Sequence, residues 1–294
     1  MPVTTSFEPQ FLSVTPGPLG QRFAIHHPGA TEVVRGLVVY VHPFAEEMNK
    51  SRRMAAMQAR LLAQQGFAVL QMDLLGCGDS AGDFGDASWA QWIDDVVFAS
   101  HWLRARHAGA TITPPLWLWG LRAGCLLATA AATRLEHACG FVFWQPPTAG
   151  RMLLQQFLRL KAAGELLGGH AKATMEQLRS EMAAHRSVDV AGYTLSPALC
   201  QGLDAAHLQW PGTPGHALWF EVATVDSPTP APASVAGIAA WREAGWRVDA
   251  HAVGGPPFWQ TAEIEDAPAL LSATASALVA AAGQAANHTA LAQA

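Results

Sequence analysis

The segment that most constrains the fold is Leu116–Ala128, LWLWGLRAGCLLA. The apolar run Pro115–Trp119 has the length and composition of a strand buried on both faces, and such strands belong to parallel sheets. It passes through Gly120-Leu121-Arg122-Ala123-Gly124 into a run of small and apolar residues, Ala123–Leu135, that reads as a helix. A strand that enters a glycine-flanked turn and leaves as a helix sets both elements close together, because glycine lets one backbone approach another. The residue at the centre of the turn is Arg122.

The same rhythm recurs along the chain. Phe7–Val14 and Gln21–His27 read as an antiparallel edge pair joined by a turn at Pro16-Gly17-Pro18. Val33–Val41 is a β-branched run expected to be a central strand, and it ends at His42-Pro43-Phe44. Ala45–Arg53 reads as a polar loop carrying Glu46, Glu47, Lys50, Arg52 and Arg53, followed by a helix over Met54–Gln65. Phe67–Leu74 is a second buried strand, Trp89–Arg104 a helix and Gly140–Trp144 a further strand. Strands alternating with helices of about 12 residues define βαβ units and a parallel sheet with right-handed crossovers. The rhythm breaks at Thr148: Arg151–Leu167 reads as a long helix, and no strand is evident before Trp210. It resumes with strands at His216–Val222 and Trp246–Val253, a helix between them at Val235–Ala244, and a closing helix over Glu263–Ala282 with Gly283 placed to end it. The expected organisation is therefore a core formed by residues 1–147 and 213–282, a helical lid over 148–212 and a flexible tail over 283–294.

Glycines at Gly120 and Gly124, with a strand before and a helix after, give the layout of the G-x-S-x-G nucleophile elbow of α/β-hydrolases. The expected fold class is α/β: an α/β-hydrolase fold, a mostly parallel sheet with helices on both faces and a helical lid insertion. In that fold the triad follows the order Ser, Asp or Glu, His, and the oxyanion hole uses the N–H after the nucleophile. Here Arg122 replaces the serine, and Pro256-Pro257 stand where the histidine follows the last strand. Asp226 lies where the acid would be, with a plain loop carboxylate as the alternative.

An arginine is neither nucleophile nor base; it is a planar cation with five donors. At a helix N-terminus, with Ala123 beside it, Arg122 suits a carboxylate, phosphate or sulfate. The alternative is an internal salt bridge to Glu46, Glu47 or Asp79. His42 is the candidate general acid or base that remains by its place at a strand end, a structural role being the alternative. Cys77, on a loop at the same edge of the sheet, and Cys125 are the candidate substitute nucleophiles, weighed against buried thiols. Phe44, Glu46, Ser80, Phe258 and Trp259 complete a candidate ligand wall at the carboxyl ends of the strands. An apolar wall beside a fixed cation fits a small anionic or amphipathic ligand.

Bulk properties bound the rest. A chain of 294 residues, half of them hydrophobic, with only 14% charged residues and 11 tryptophans describes a compact globule. A net charge of −5 offers no electrostatic case for nucleic acid. Cys77, Cys125, Cys139 and Cys200 lack CxxC spacing, which fits reduced thiols in a cytoplasmic protein. No metal-ligand spacing, phosphate-binding loop or dinucleotide fingerprint occurs, so no metal and no cofactor is expected. Neither a signal peptide nor a transmembrane segment is expected.

Four blocks together resemble a specific family: HPFAEEMNKSRR (His42–Arg53), MDLLGCGDSAGDFGDA (Met72–Ala87), LWLWGLRAG (Leu116–Gly124) and FWQPP (Phe143–Pro147). They are similar to the exosortase A system-associated hydrolase 2 family, over about Phe11 to Leu278. The superfamily's D-x-x-G-x-G-x-S turn matches Asp73, Gly76, Gly78 and Ser80. The resemblance implies an elbow that carries arginine as the family pattern. It also implies association with bacterial exosortase and exopolysaccharide machinery, and a nominal hydrolase acting on ester or acyl-type substrates. The missing serine and histidine favour instead a pseudoenzyme, with a degenerate triad, that binds an anion at Arg122, or a partner-binding scaffold.

Overall fold

The computed structural model describes residues 6–110, 113–164, 176–178, 180–182, 184–225 and 228–293. In chain order the strands are β1 (Glu8–Ser13), β2 (Gln21–His27), β3 (Gly36–Val41), β4 (Phe67–Met72), β5 (Leu116–Leu121), β6 (Gly140–Trp144), β7 (Val188–Val190), β8 (Tyr193–Leu195), β9 (His216–Ala223) and β10 (Arg247–Gly254). The helices are α1 (Glu46–Gln64), α2 (Trp89–Arg106), α3 (Ala123–Ala132), α4 (Gly150–Gly164), α5 (Pro197–Ala205), α6 (Pro232–Glu243) and α7 (Pro268–Gln293).

Among the described residues, eight strands form one sheet in the order β1-β2-β4-β3-β5-β6-β9-β10. The β1–β2 and β2–β4 pairings are antiparallel and all the others parallel. Every residue of β3 and β5 is buried, as their continuous apolar runs require. Alternate side chains feed two cores. Leu37, Val39, Val41, Leu116 and Leu118 pack with α2 and α3, whereas Val38, Tyr40, Trp117 and Trp119 pack with α1 and α7. With helices on both faces, the carboxyl ends of β3, β5 and β6 come together at one edge, and turns there hold any site.

Four expectations need correction. Ala45–Arg53 is the beginning of α1 and not a loop. Its residues are good helix formers, and Glu46 and Glu47 in the first turn complement the positive end of the helix. The central strand starts at Gly36, leaving Val33 77% exposed before it. The segment between β6 and β9, in which no strand is expected, contains one hairpin: β7 and β8 pair around Ala191-Gly192, both at positive φ. Finally, α7 starts at Pro268 and its backbone continues through Gly283 to Gln293.

The segment between β6 and β9 is pinned where it leaves and rejoins the sheet. Gly150 N donates to Ala206 O, and Leu208 N to Thr148 O. Arg151 on α4 pairs with Asp204 on α5 at 2.9 Å. This brace brings α4 over the end of β5, where Phe157 meets Phe44 edge to face at 5.1 Å.

Candidate functional site

Three adjacent parallel strands end in the same manner. Ala45 follows the β3 turn with φ 51°, Arg122 follows β5 with φ 53°, and Gln145 follows β6 with φ 47°. Residues other than glycine rarely adopt positive φ, and each such position costs about 1–3 kcal/mol unless its surroundings enforce it. At Arg122 they do: its N–H donates to Trp144 O and its carbonyl accepts from Cys125 N–H. Gly124 permits the turn, because a Cβ there would lie 2.0 Å from the Val41 carbonyl oxygen. Helix α3 therefore sits directly on β3, and the elbow geometry forms with arginine at its apex.

The Arg122 guanidinium is held on three sides. Nε donates to Glu47 Oε1 at 3.2 Å and one terminal nitrogen donates to Gln156 Oε1 of α4 at 3.1 Å. The Trp259 ring faces the guanidinium carbon at 5.9 Å, a cation–π arrangement. The side chains of Arg122 and Glu47 are each 14% exposed. No other acceptor is bonded to its remaining N–H groups or to the Ala123 N–H that opens α3, among the described residues.

Burial pushes Glu47 up to about 7, despite the opposing pull of Arg122. Glu46 is also raised, again by burial. One carboxylate oxygen of each, Oε2, is buried without a hydrogen-bond partner. The internal ion pair weighed for Arg122 thus exists, but its counter-ion is a carboxyl group half protonated near neutrality. Gln156 carried no sequence signal; it is one polar residue on a helix whose Leu153, Leu154, Phe157 and Leu158 are buried.

The other sequence candidates are placed differently. His42 is 4% exposed with both ring nitrogens occupied: Nδ1 bonds the Pro43 carbonyl and Nε2 accepts from Leu74 N–H. Burial lowers its affinity for a proton, and both nitrogens are engaged in holding the turns beside it. Cys77 is buried and its thiol is pushed far above the usual range by desolvation, which opposes formation of the nucleophilic thiolate. Cys125 is likewise buried, with Sγ donating to Gly120 O. Ser80 is consumed by structure, accepting from Phe23 N–H and donating to Asp73 O. Phe44 packs inside an aromatic cluster with Phe84, Trp92 and Phe157 and lines no open wall. Phe258 is 1% exposed, set edge to face against both Trp144 and Trp259. Asp226 lies outside the described residues. His251, on β10, stacks on Phe220 at 4.8 Å within the sheet.

The strand order, the elbow and the helices on both faces define an α/β-hydrolase-fold protein. The chain belongs to the family described as serine aminopeptidase, S33 (Hydrolase_4), which it matches over residues 32–207. Human protein ABHD12B is 35% identical over 101 residues, which cover 34% of this chain. That stretch is 25% of the relative's own length, so the chain spans about a quarter of it.

Among solved structures, the Xanthomonas campestris protein XC6422, an α/β serine hydrolase without a lid, aligns over 97% of this chain and 96% of its own. The identity is 17% and the TM-score 0.55. Est1E from Butyrivibrio proteoclasticus, solved with ferulic acid bound, aligns over 89% of this chain and 95% of its own at 13% identity and a TM-score of 0.61. A thermostable carboxyl esterase from Bacillus coagulans aligns over 86% of this chain and 91% of its own, with 14% identity and a TM-score of 0.56. At these identities the likeness is one of fold. No helix among the described residues is long and apolar enough to cross a membrane.

Proposed function

We propose that this hydrolase-like chain is a non-hydrolytic binding member of its family, which takes an amphipathic anion at Arg122. The observation that carries this reading is the mismatch within the Arg122–Glu47 pair. A permanent cation is matched to a carboxyl group pushed up to about 7, so at neutral pH the guanidinium is only partly neutralised. An incoming carboxylate, phosphate or sulfate of lower pKa replaces Glu47 on Nε and also meets the Ala123 N–H at the start of α3. On α4, Met152, Gln156 and Leu160 fall four residues apart on one stripe, with Met152 62% and Leu160 44% exposed. The head of the ligand meets Arg122 and Gln156, and its apolar body follows that stripe.

The enzyme reading has less support. Arg122 replaces the nucleophile, His42 and Cys77 are structurally committed, and Pro256-Pro257 replace the triad histidine. The resemblance of the four sequence blocks supports a ligand among the acidic or acyl-bearing molecules of a bacterial exosortase or exopolysaccharide system. The same resemblance, with reduced cysteines, supports a cytoplasmic location beside that machinery.

Two assays test the proposal. Thermal unfolding is followed with phosphate, medium-chain carboxylates and acyl phosphates, using wild type and Arg122→Ala. A ligand at about 100 times its Kd adds about 2.7 kcal/mol of stability. Stabilisation of wild type that is lost in Arg122→Ala is the expected result; no stabilisation by any of these anions refutes the site. Hydrolysis of p-nitrophenyl esters above the uncatalysed rate, abolished by Arg122→Ala, would refute the non-hydrolytic reading.

A further inference from the structure

If Arg122 is the anion site, the way Glu47 is held decides what accompanies the anion. One oxygen of Glu47, Oε1, accepts from Arg122 Nε at 3.2 Å. The other, Oε2, is buried without a hydrogen-bond partner, and the side chain is only 14% exposed. Among the described residues the carboxylate thus leans on the guanidinium alone. An anion that takes Nε removes that donor and sets a second negative charge beside Glu47. A buried carboxylate with neither donor nor counter-ion neutralises rather than stay charged.

The other groups around Glu47 do not take over the role of Arg122. On α1, Glu46 is a second carboxyl raised by burial, and its charge opposes ionisation of Glu47. Lys50, also on α1, attracts the Glu47 charge less than Arg122 does, and its Nζ donates to Gln260 O. From β8, Tyr193 bears on Glu46, and its phenol is raised by burial. From α4 and the loop after β10 come Gln156 and Trp259, neither of which titrates.

We propose that an anion enters at Arg122 together with one proton, which Glu47 takes up as it gives up the guanidinium. The proton comes from solvent and binds a carboxylate oxygen of Glu47. The ligand oxygen accepts from Arg122 Nε–H in its place, and no covalent bond of the ligand changes. The new O–H makes Glu47 a donor to the ligand instead of its competitor. Because anion and proton cancel, a singly charged head group is captured without a change in net charge and is released as the pH rises.

The free site should compete for the proton with Glu47 titrating at about 7. The protonated fraction then falls about tenfold from pH 6 to pH 8, and the Kd of the anion should rise about tenfold over the same range. Isothermal calorimetry with hexyl sulfate, an amphipathic anion that stays ionised throughout, measures this. At pH 8, titrations in Tris and in triethanolamine should differ in heat by the uptake of about one proton per anion. Glu47→Gln should abolish both the slope and the proton uptake while still binding, whereas Glu46→Gln should keep a slope. Absence of binding to wild type at every pH overturns the Arg122 site and the coupling with it. Binding lost in Arg122→Ala but constant from pH 6 to pH 8, or a slope that survives Glu47→Gln, leaves the anion site standing and overturns the coupling. Circular dichroism of each variant checks that it is folded.

Discussion

Replacing Glu47 with glutamine should change how the protein's stability depends on pH. In the folded protein Glu47 titrates at about 7, against an ordinary value of 4.5. A raised acid binds a proton in the folded state while the unfolded chain has already lost it. Stability therefore falls as pH rises from 4.5 to about 7 and levels off above that. With the side chain only 14% exposed, solvent screens the effect little. About 2.5 pH units at about 1.4 kcal/mol each gives a loss of about 3–4 kcal/mol across this window.

Glutamine mimics the protonated carboxyl, keeps an oxygen for Arg122 Nε, and cannot titrate. Glu47→Gln and wild type should therefore be nearly equally stable at pH 4.5, with the variant ahead by up to about 3–4 kcal/mol at pH 8. Urea unfolding followed by tryptophan fluorescence at half-unit pH steps measures the difference directly. Titrations remote from Glu47, those of His26 and His216 included, cancel in that difference, whereas Glu46 is coupled to Glu47 and contributes a part of it. Parallel stability profiles for the two proteins would refute the claim that Glu47 is a weak counter-ion, and the argument for ligand exchange at Arg122 would fall with it.

Arg122→Ser should give the elbow a hydroxyl without conferring ester hydrolysis, because Pro256-Pro257 stand where the triad histidine would and both nitrogens of His42 are bonded to Pro43 and Leu74; measurable turnover of p-nitrophenyl acetate would contradict this. Cys77, Cys125, Cys139 and Cys200 are all free and buried, with burial pushing Cys139 up to about 12 and Cys200 to about 11. The native protein should react slowly or not at all with a thiol reagent and release all four thiols in guanidinium. Gly124→Ala sets a Cβ against the Val41 carbonyl and should destabilise by about 1–3 kcal/mol in urea unfolding. Arg22→Ala strands the buried Asp95 carboxylate, whose partner lies at 2.8 Å, and should cost about 3–5 kcal/mol.

The sheet was legible in the sequence because its strands are buried on both faces and therefore announce themselves as uninterrupted apolar runs. Gly140–Trp144 matches its expected bounds, and Phe67 opens β4 as expected. The start of α1 was not legible. Its first two turns, EEMNKSRR, favour helix but are too densely polar to show an apolar stripe, and only the sheet behind them shows that Met48 and Ser51 face inward. The same blindness affected the site. Burial of Glu47 comes from elements far away in sequence, and Gln156 reaches Arg122 only because α4 folds back over β5. For His42 and Ser80 the residue types were suggestive, but their hydrogen-bonding capacity is spent on the backbone of Leu74, Pro43, Phe23 and Asp73. Composition cannot reveal that kind of commitment.

The three left-handed turns at Ala45, Arg122 and Gln145 bear on how such a protein diverges. The bonds that hold position 122 in its unusual conformation run through its own N–H and carbonyl, to Trp144 and Cys125. None involves the side chain. Gly124 supplies the space, and its fit against Val41 is indifferent to what stands at position 122. The fold therefore places few demands on the identity of that one residue, and a single codon change there can exchange nucleophile for cation while the backbone stays as it was. A position insulated in this way is free to drift in chemistry faster than its architecture does, so descendants of one ancestor can share every strand and differ in whether they react at all.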